Sequence, residues 1–417
     1  MADRRALPEA EAARDWAFTP LTLGPLRLRN RFIKSATNEG MAPAGVPTRA
    51  LVQHHRSMAA GGAAMTTVAY CAVEPDGRTF EDQITLDADT IKHLRVLTDA
   101  VHAEGGAACA QLTHGGCFTF LPKLATRYPL SASGGINPPG MIAGRPFKSA
   151  MALSDMARIT DDFVAAAQRA REAGFDAVEL HMGHGYLLSQ FLSPLYNRRT
   201  DFWGGNAEKR ARFPAQVLRQ VLDAVGDDLA VLCKISVVEG HRRGAVLQDV
   251  VTTVKALERT GAHMVVLSGG MNVEAPWQIF GSNMPAEAVT QLQNPVVRTA
   301  SRVMRLWEPK VPFRELYLRS YSHRIRQQVN MPLAYLGGAK SMDGIAQLQA
   351  DGFDAVVMGR ALLHDPGLVN GFAGGDKTES GCTACNACIV TMYEPGGTHC
   401  VLTGTGDPEA NRQPAAA

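Results

Sequence analysis

The hexapeptide Ala-Gly-Phe-Asp-Ala-Val at residues 173–178 recurs almost unchanged as Asp-Gly-Phe-Asp-Ala-Val at residues 351–356. In both copies a glycine ends a helical pattern and a short apolar run follows, as happens where a helix leads into a buried strand. Any protein built from strand–helix–strand units can repeat this turn, so the two copies do not establish an internal duplication. They do indicate βα architecture rather than a β-sandwich or a helical bundle.

Short apolar and β-branched runs recur along the whole chain and alternate with longer amphipathic stretches. In residues 90–104, 161–173 and 207–225 the apolar positions recur every three or four residues, which is typical of helices that cover a sheet. Eight strands, each followed by a helix, close most simply into one barrel, so the sequence predicts an α/β fold of the (β/α)8 TIM barrel type. The predicted strands are residues 31–36, 63–70, 107–112, 175–181, 230–236, 263–268, 332–337 and 353–359.

The chain divides into three parts around this barrel. Residues 17–372 are expected to form the barrel, with a short hairpin at its amino-terminal side. Residues 1–16 are charged and rich in alanine, and we expect them to be a flexible extension. Residues 373–417 contain half of the eight cysteines, and we expect this Cys-rich tail to pack on the barrel.

Two long excursions, residues 113–160 and 269–314, interrupt the regular spacing of strands and helices. Both follow a predicted strand and therefore belong to the catalytic face of the barrel, where loops of this length usually have a function. The second excursion could cover the active site as a lid, or it could form a subunit contact in a homo-oligomer. Its large apolar side chains are Trp277, Phe280, Met284 and Trp307.

The composition predicts a soluble globular protein: 46% of the 417 residues are hydrophobic and 20% are charged. With 42 basic and 40 acidic residues, the chain offers no field of one sign for nucleic acid or an anionic membrane. No apolar run approaches the roughly 18 residues that cross a bilayer. Residues 1–15 also lack the apolar core of a secretory signal. We therefore expect a cytoplasmic location with reduced thiols.

The sharpest local pattern is His181-Met-Gly-His184-Gly-Tyr186, at the carboxyl end of the fourth predicted strand. Two imidazoles and a phenol at this spacing would converge at the mouth of a barrel. Three interpretations fit: donors to one polar substrate atom, two ordinary loop histidines, or a metal site. The metal site has the weakest basis, because Glu179 is the only acidic residue close in sequence and no third histidine accompanies the pair.

A second pattern is the group of four cysteines in the tail. The first three lie three positions apart, and the fourth follows after eleven intervening residues. Four thiolates at this spacing suit a [4Fe–4S] cluster or a structural zinc ion, and the thiols could also remain reduced without a metal. The four residues are Cys382, Cys385, Cys388 and Cys400.

Taken together, the motifs resemble a known family. Residues 174–206, which contain both histidines and end in Asn-Arg-Arg-Thr-Asp-Phe-Trp-Gly-Gly-Asn, closely resemble the signature region of the old yellow enzyme family. The resemblance continues at residues 20–31, at Gln-Leu-Thr-His in residues 111–114, at Gly-Gly in residues 337–338 and at Met-Gly-Arg in residues 358–360. Members of that family are FMN-dependent barrels that reduce activated alkenes with NAD(P)H, so the resemblance implies an NAD(P)H:flavin oxidoreductase.

The resemblance assigns ten positions to FMN binding. The Gln111 amide carries a donor and an acceptor for the pyrimidine edge of a flavin, and Lys234 would pair with the negative charge of reduced flavin. Asn38 stands where relatives often carry Cys, Thr or His, and Tyr70 stands where they usually carry a small residue. The glycines and Arg360 follow the last two strands, where such barrels bind phosphate. The ten residues are Ala36, Thr37, Asn38, Tyr70, Gln111, Lys234, Gly337, Gly338, Gly359 and Arg360.

The resemblance also implies a reaction. His181 and His184 would hold the carbonyl oxygen of an enone or enal while Tyr186 protonates the α-carbon, which makes the expected function that of an ene-reductase. An amine dehydrogenase or demethylase on the same FMN barrel is an alternative. A metal-dependent barrel enzyme and a binding protein, both without flavin, are two others.

The cysteine run resembles the cluster segment of the subgroup that contains 2,4-dienoyl-CoA reductase and trimethylamine dehydrogenase. In those proteins an FAD- and nucleotide-binding region follows and passes electrons through the cluster to FMN. No GxGxxG fingerprint follows Cys400 in this sequence. A [4Fe–4S] cluster would therefore be structural or would require a separate electron-transfer partner.

Overall fold

The computed structural model describes residues 6–141, 143–285, 299 and 308–416. Within this part of the chain, eight parallel strands close into one barrel. The strands follow one another around the barrel in chain order, and the last pairs with the first through Val357 and Ile33. This architecture confirms the predicted (β/α)8 TIM barrel.

The chain enters the barrel through helix α1 (Ala6–Ala17), which is followed by a hairpin. Most of the segment that we expected to be a flexible extension is thus helical, and Ala13 and Ala17 are fully buried. These two small side chains lie four positions apart, on one face of the helix, and they allow that face to approach the rest of the protein closely.

The hairpin closes the amino-terminal end of the barrel. It consists of strands β1 (Leu21–Leu23) and β2 (Leu26–Leu28), which pair antiparallel. Its buried leucines share one apolar cluster with Met65 and Ala107, which are the first residues of two barrel strands. The opposite end of the barrel, where the strands finish, is therefore the end available for a site.

Each barrel strand overlaps one of the eight predicted runs, and nearly every strand residue is buried. Burial on both sides is expected of a parallel barrel, because helices cover its outside and side chains fill its interior. The strands are β3 (Phe32–Lys34), β4 (Met65–Ala72), β5 (Ala107–Thr113), β9 (Ala177–Met182), β10 (Ala230–Ser236), β11 (Met264–Ser268), β12 (Leu333–Tyr335) and β13 (Ala355–Met358).

The outer layer consists of helices. The helix Ala207–Val225 has its predicted bounds, whereas the helix Leu153–Glu172 begins earlier than predicted. The early start follows from a cap, because the Asp155 carboxylate accepts a hydrogen bond from the Ala152 N–H at 2.8 Å. The longer helices are α2 (Arg49–Ala60), α3 (Ala88–Ala103), α5 (Leu153–Glu172), α7 (Ala207–Val225), α8 (Leu247–Thr260), α10 (Arg319–Arg326) and α11 (Met342–Ala350). The shorter ones are α4 (Pro138–Met141), α6 (Leu187–Leu192), α9 (Pro276–Phe280), α12 (Arg360–His364), α13 (Leu368–Gly374) and α14 (Cys388–Thr391).

Both excursions follow barrel strands at the carboxyl-terminal face. The first, after β5, contains a small sheet formed by β6 (Leu130–Ser131), β7 (Gly135–Ile136) and β8 (Phe147–Ala150). The second, after β11, contains α9 with Trp277 and Phe280. Met284 also lies in the described part of this excursion, whereas Trp307 lies outside the described residues.

The tail returns to the carboxyl-terminal face of the barrel. The Thr398 N–H donates to the Glu39 carbonyl at 2.7 Å, and the Ala415 N–H donates to the Pro47 carbonyl at 2.9 Å. Both acceptors belong to the loop between β3 and α2, so the tail contacts the same end of the barrel at which the strands finish.

No helix in the described part of the chain combines the length and the apolar character needed to cross a membrane. The cytoplasmic location and the absence of a nucleic-acid partner stay predictions.

Candidate functional site

A cavity of about 1310 Å³ opens at the carboxyl ends of the barrel strands. All eight strands, or the residues directly after them, contribute to its wall, as the parallel barrel requires. Gly337 lies just outside this wall, and its carbonyl accepts a hydrogen bond from Tyr335 Oη at 2.9 Å. The predicted site residues that line the cavity are Ala36, Thr37, Asn38, Tyr70, Gln111, His181, His184, Tyr186, Lys234, Gly338, Gly359 and Arg360.

The three residues of the His181 motif meet in the cavity. The His181 ring centroid lies 5.0 Å from that of His184 and 4.6 Å from that of Tyr186. His184 adopts a left-handed backbone conformation with φ of 59°, and Gly185 follows with φ of 86°. This turn at the end of β9 brings side chains three and five positions apart to one side of the cavity.

Both imidazoles are neutral at physiological pH. Burial lowers the pKa of His184 to about 3, and the positive charge of Lys234 acts in the same direction. Burial also lowers the pKa of His181 well below its ordinary value, assisted by His184 and Lys234. His181 Nδ1 accepts a hydrogen bond from the Gly183 N–H at 3.3 Å, so the neutral ring carries its proton on Nε2.

His184 is held by a residue from a different strand. Its Nε2 lies 2.8 Å from the Ser268 hydroxyl, which ends β11 and also lines the cavity. This partner could not be predicted from the sequence, because a single serine at a strand end is common. Among the described residues, no three His, Cys, Asp or Glu side chains are grouped as metal ligands. The metal interpretation of the histidine pair therefore gains no support.

Tyr186 is almost fully buried, and its phenol interacts electrostatically with Tyr70 and Asn272. Burial is the main cause that raises its pKa well above the ordinary value, with a smaller contribution from Tyr70. The phenol therefore keeps its proton at neutral pH. Asn272, which sequence reasoning missed, belongs to the second excursion and reaches Tyr186 through the fold alone.

A buried carboxylate lies beneath the predicted flavin-binding residues. Gln111 Nε2 donates to Glu179 Oε1 at 2.7 Å, and Lys234 Nζ lies 3.3 Å from the same oxygen. Sequence reasoning considered Glu179 only as a possible metal ligand. The signal that could have identified it is alternation along the strand, because Glu179 and His181 are two positions apart and therefore face the same side.

A second buried ion pair fixes the loop after β3. Lys34 Nζ lies 2.5 Å from Glu39 Oε1, and both side chains are almost fully buried. The loop between them carries Ala36, Thr37 and Asn38, whose carbonyl accepts a hydrogen bond from Thr398 Oγ1 at 2.7 Å. The rim of the cavity is thus fixed by the Lys34–Glu39 salt bridge and by the hydrogen bond from Thr398 in the tail.

At the end of the cavity where the phosphate is predicted to bind, the backbone requires a glycine at position 338, and the Arg360 side chain is hydrogen-bonded within the protein. Gly338 has φ of 82°, and a Cβ atom there would come within 2.9 Å of the Tyr317 ring, so only glycine fits. The Arg360 guanidinium donates to Asn386 Oδ1 and, at 2.7 Å, to the Phe280 carbonyl. Arg360 therefore connects the second excursion to the tail beside the cavity.

The four tail cysteines lie where two neighbouring cavities approach each other. Cys382 and Cys388 line the main cavity, and burial raises the pKa of Cys388 to about 12. Cys400 lines a neighbouring cavity of about 840 Å³, where its Sγ lies 3.4 Å from His364 Nδ1. Cys385 is exposed. Among the described residues these thiols are not grouped as ligands of one metal ion. Cys388 nevertheless interacts electrostatically with all three others, so a four-thiolate cluster or a zinc site here stays a prediction.

The residues around the main cavity do fit FMN. A cation and an amide lie at its inner end, a glycine with a left-handed backbone lies at the predicted phosphate end, and two neutral imidazoles lie between the walls. These are the groups that a molecule with a polar heterocycle, a planar ring system and a phosphate would need.

Comparison with known proteins agrees with this donor set. Residues 17–379 match the model of the NADH:flavin oxidoreductase / NADH oxidase family. The chain belongs to this family. It is an NAD(P)H:flavin oxidoreductase of the old yellow enzyme type, which confirms the resemblance found in the sequence. FMN and a nicotinamide reductant are accordingly its expected cofactors.

Relatives of this chain carry names that refer to different activities. The 4,4'-dithiodibutanoate disulfide reductase of Rhodococcus erythropolis is 38% identical over 393 residues, which is 92% of this chain and 94% of that protein. The metal reductase of Desulforamulus reducens is 30% identical over 399 residues, which is 94% of this chain but 54% of that protein. The chain thus spans nearly all of the first relative and about half of the second.

The barrel also resembles solved structures of low sequence identity. A complex of 2-naphthoyl-CoA reductase with 2-naphthoyl-CoA matches with a TM-score of 0.77 at 20% identity, covering 96% of this chain and 58% of that chain. At this identity the likeness concerns the fold.

Proposed function

We propose that this NAD(P)H:flavin oxidoreductase reduces the C=C bond of α,β-unsaturated carbonyl compounds. The observation that carries the proposal is the group formed by His181, His184 and Tyr186, with two neutral imidazoles and a protonated phenol in one cavity. Neutral N–H donors suit the oxygen of a carbonyl, and a phenol of raised pKa suits the transfer of a proton to carbon.

FMN, when bound, would supply hydride chemistry to the acceptor, with NAD(P)H as the reductant. The chain's own residues hold the acceptor: the imidazoles donate to the carbonyl oxygen, on which negative charge grows as the alkene is reduced. A donor placed at such an oxygen is typically worth about 2.7–4 kcal/mol in a site without water. Tyr186 then gives its proton to the α-carbon, and the Tyr70 ring packs edge-on against the Tyr186 ring.

The outer wall of the cavity favours an apolar, planar substituent on the acceptor. Phe80 and Phe120 are stacked with centroids 5.0 Å apart, and Tyr393 from the tail lies edge-on to Phe80 at 6.3 Å. Phe118 connects this group to Tyr186, with centroids 5.9 Å apart. All five rings line the cavity. An aromatic enal would therefore contact rings on the side of the wall that includes the proton donor.

Reduction of an organic disulfide is a second candidate, in which RSSR, NAD(P)H and a proton give two thiols and NAD(P)⁺. It is favoured by the 38% identity to the disulfide reductase of Rhodococcus erythropolis over almost the full length of both chains. The same cavity would admit the substrate. By contrast, oxidation of a cationic amine is disfavoured, because the N–H donors of two neutral imidazoles suit a carbonyl oxygen better than a cation.

Anaerobic mixing experiments distinguish the two candidates. The FMN-loaded protein is first bleached with NAD(P)H and then mixed with cinnamaldehyde, 2-cyclohexenone or 4,4'-dithiodibutanoate. Return of the flavin absorbance with the two alkenes, together with formation of the saturated products, would support the proposal. Return with the disulfide alone would replace it with the second candidate.

A further inference from the structure

Glu179 lies below the cavity, between two of the residues expected to bind FMN. Only 3% of its surface is exposed, and both partners, Gln111 and Lys234, are about 1% exposed. In the barrel β9 pairs with β5 on one side and with β10 on the other, and Glu179 stands in register with Gln111. The short contacts thus join three neighbouring strands at one carboxylate.

We infer that Glu179 is a positioning residue for FMN, which orients the Gln111 amide and balances the charge of Lys234. The inference rests on the FMN cofactor of this family and does not depend on which acceptor the enzyme reduces. Among the described residues that line the cavity, both Gln111 and Lys234 are present and Glu179 is not. Glu179 therefore acts through them.

The orientation of Gln111 follows from the chemistry of its partner. A carboxylate has only acceptors, so the Gln111 amide must turn its NH₂ group toward Glu179, as the 2.7 Å bond shows. The amide oxygen then points away from Glu179 and offers an acceptor to the cavity. This acceptor complements the N–H of the flavin pyrimidine ring. Rotating the amide would bring its oxygen against the carboxylate.

The charge argument concerns Lys234. Its Nζ donates to Ser35 Oγ at 3.3 Å and pairs with Glu179, which supplies the anion that a buried cation needs. Oxidised flavin is neutral, whereas reduced flavin carries negative charge near its pyrimidine edge. Glu179 thus compensates Lys234 while the flavin is oxidised and repels the charge that appears on reduction. Its presence should lower the midpoint potential of the bound FMN.

Glu179→Gln tests both effects in the FMN-loaded protein. We expect oxidised FMN to bind about tenfold more weakly, because a glutamine can present either a donor or an acceptor to Gln111. Binding of reduced FMN should change little, because a repelling charge is lost at the same time. The ratio of the two affinities then changes tenfold, which corresponds to a rise of about 30 mV for a two-electron couple. A potential equal to that of the wild-type protein would overturn the charge role.

Two further variants complete the test. Glu179→Asp keeps the charge but shortens the reach to Gln111, so FMN affinity should fall while the potential stays unchanged; unchanged affinity would overturn the orienting role. Glu74→Gln is the matched control, because Glu74 pairs with His114 and Arg158 outside the cavity. It should leave FMN affinity and potential as they are. If the expected changes in FMN affinity and potential are found but the protein does not reduce enones, the proposed function fails and the role of Glu179 stands.

Discussion

The Tyr70 and Tyr186 rings lie edge to face with centroids 5.4 Å apart, and their phenol groups interact electrostatically. Tyr70 has φ of 54°, a left-handed conformation that non-glycine residues rarely adopt. The comparison of motifs places the bulky Tyr70 at a position where relatives usually carry a small residue. The structure gives it a partner: its ring packs against the predicted proton donor, so the two tyrosines form one unit.

Replacing Tyr186 by Phe removes the proposed proton donor and leaves the ring. We expect alkene reduction to slow by about 10²-fold or more, the usual worth of a positioned general acid. Reduction of the flavin by NAD(P)H should remain almost unchanged, since it needs no proton from this phenol. Stopped-flow absorbance measures each half-reaction separately. Tyr128→Phe, at a half-buried tyrosine that does not line the cavity, serves as control, and an equal loss in both half-reactions would argue against the assigned role.

Replacing Tyr70 by Phe tests the interaction between the two phenol groups. An interaction between two neutral hydroxyls is worth about 1 kcal/mol at most, so alkene reduction should slow by no more than roughly fivefold. The effect should vanish in the Tyr186→Phe background, because one of the two hydroxyls is already absent there. A double-mutant cycle on the rate of flavin reoxidation provides the measurement. Additive losses would show that Tyr70 acts on the substrate independently of Tyr186.

The low pKa of His184, about 3, and the lowered pKa of His181 predict that acceptor binding does not depend on a histidine ionisation between about pH 5 and 8. Their effect on stability is different. The unfolded chain takes up protons on these histidines below about pH 6.5, whereas the folded protein does so only at much lower pH. The free energy of unfolding should therefore fall as the pH drops from 6.5 toward 3. Chemical denaturation across this range, compared between the wild-type protein and the His181→Ala/His184→Ala variant, should show a weaker decline in the variant.

The same double variant tests the histidines as donors. Each donor at the developing oxyanion is worth roughly 10²–10³ in rate, so loss of both should abolish measurable enone reduction while NAD(P)H still bleaches the flavin. Binding of a phenol to the oxidised enzyme, followed by the change in the flavin spectrum, should also disappear. A spectral change equal to that of the wild-type protein would remove the two histidines from the acceptor site.

The barrel could be predicted because each of its strands and helices is marked by a pattern of neighbouring residues in the sequence. Strand β10 and helix α7 have the predicted bounds, since each is a continuous pattern that ends at a turn. Strand β3 is shorter than its predicted run because the residues after Lys34 leave the sheet to form the cavity rim. Helix α1 was missed because an alanine-rich pattern lacks the large apolar residues that mark a buried face.

The site was predictable only where its residues are neighbours in sequence or match a family motif. His181, His184 and Tyr186 satisfy both conditions. Glu179 owes its role to strand pairing, and Ser268 owes its role to the convergence of strand ends at one face of the barrel; both bring single polar residues beside partners far away in the chain. For the tail cysteines the prediction of a cluster still rests on their spacing, and in the fold Cys388 interacts electrostatically with the other three thiols.

The tail residue Tyr393 provides a test of substrate preference, because it lies beyond the part of the chain that matches the family model. Its ring contacts Phe80 at the outer wall, and an aromatic contact of this kind is worth about 0.5–1.5 kcal/mol. Replacing Tyr393 by Ala should therefore raise the KM for cinnamaldehyde roughly two- to tenfold, with little change in kcat. The KM for 2-cyclohexenone, which is too small to reach this wall, should stay the same. Val401→Ala, at an exposed tail residue that does not line the main cavity, is the control. Equal changes for the two substrates would show that the tail supports the barrel without selecting the acceptor.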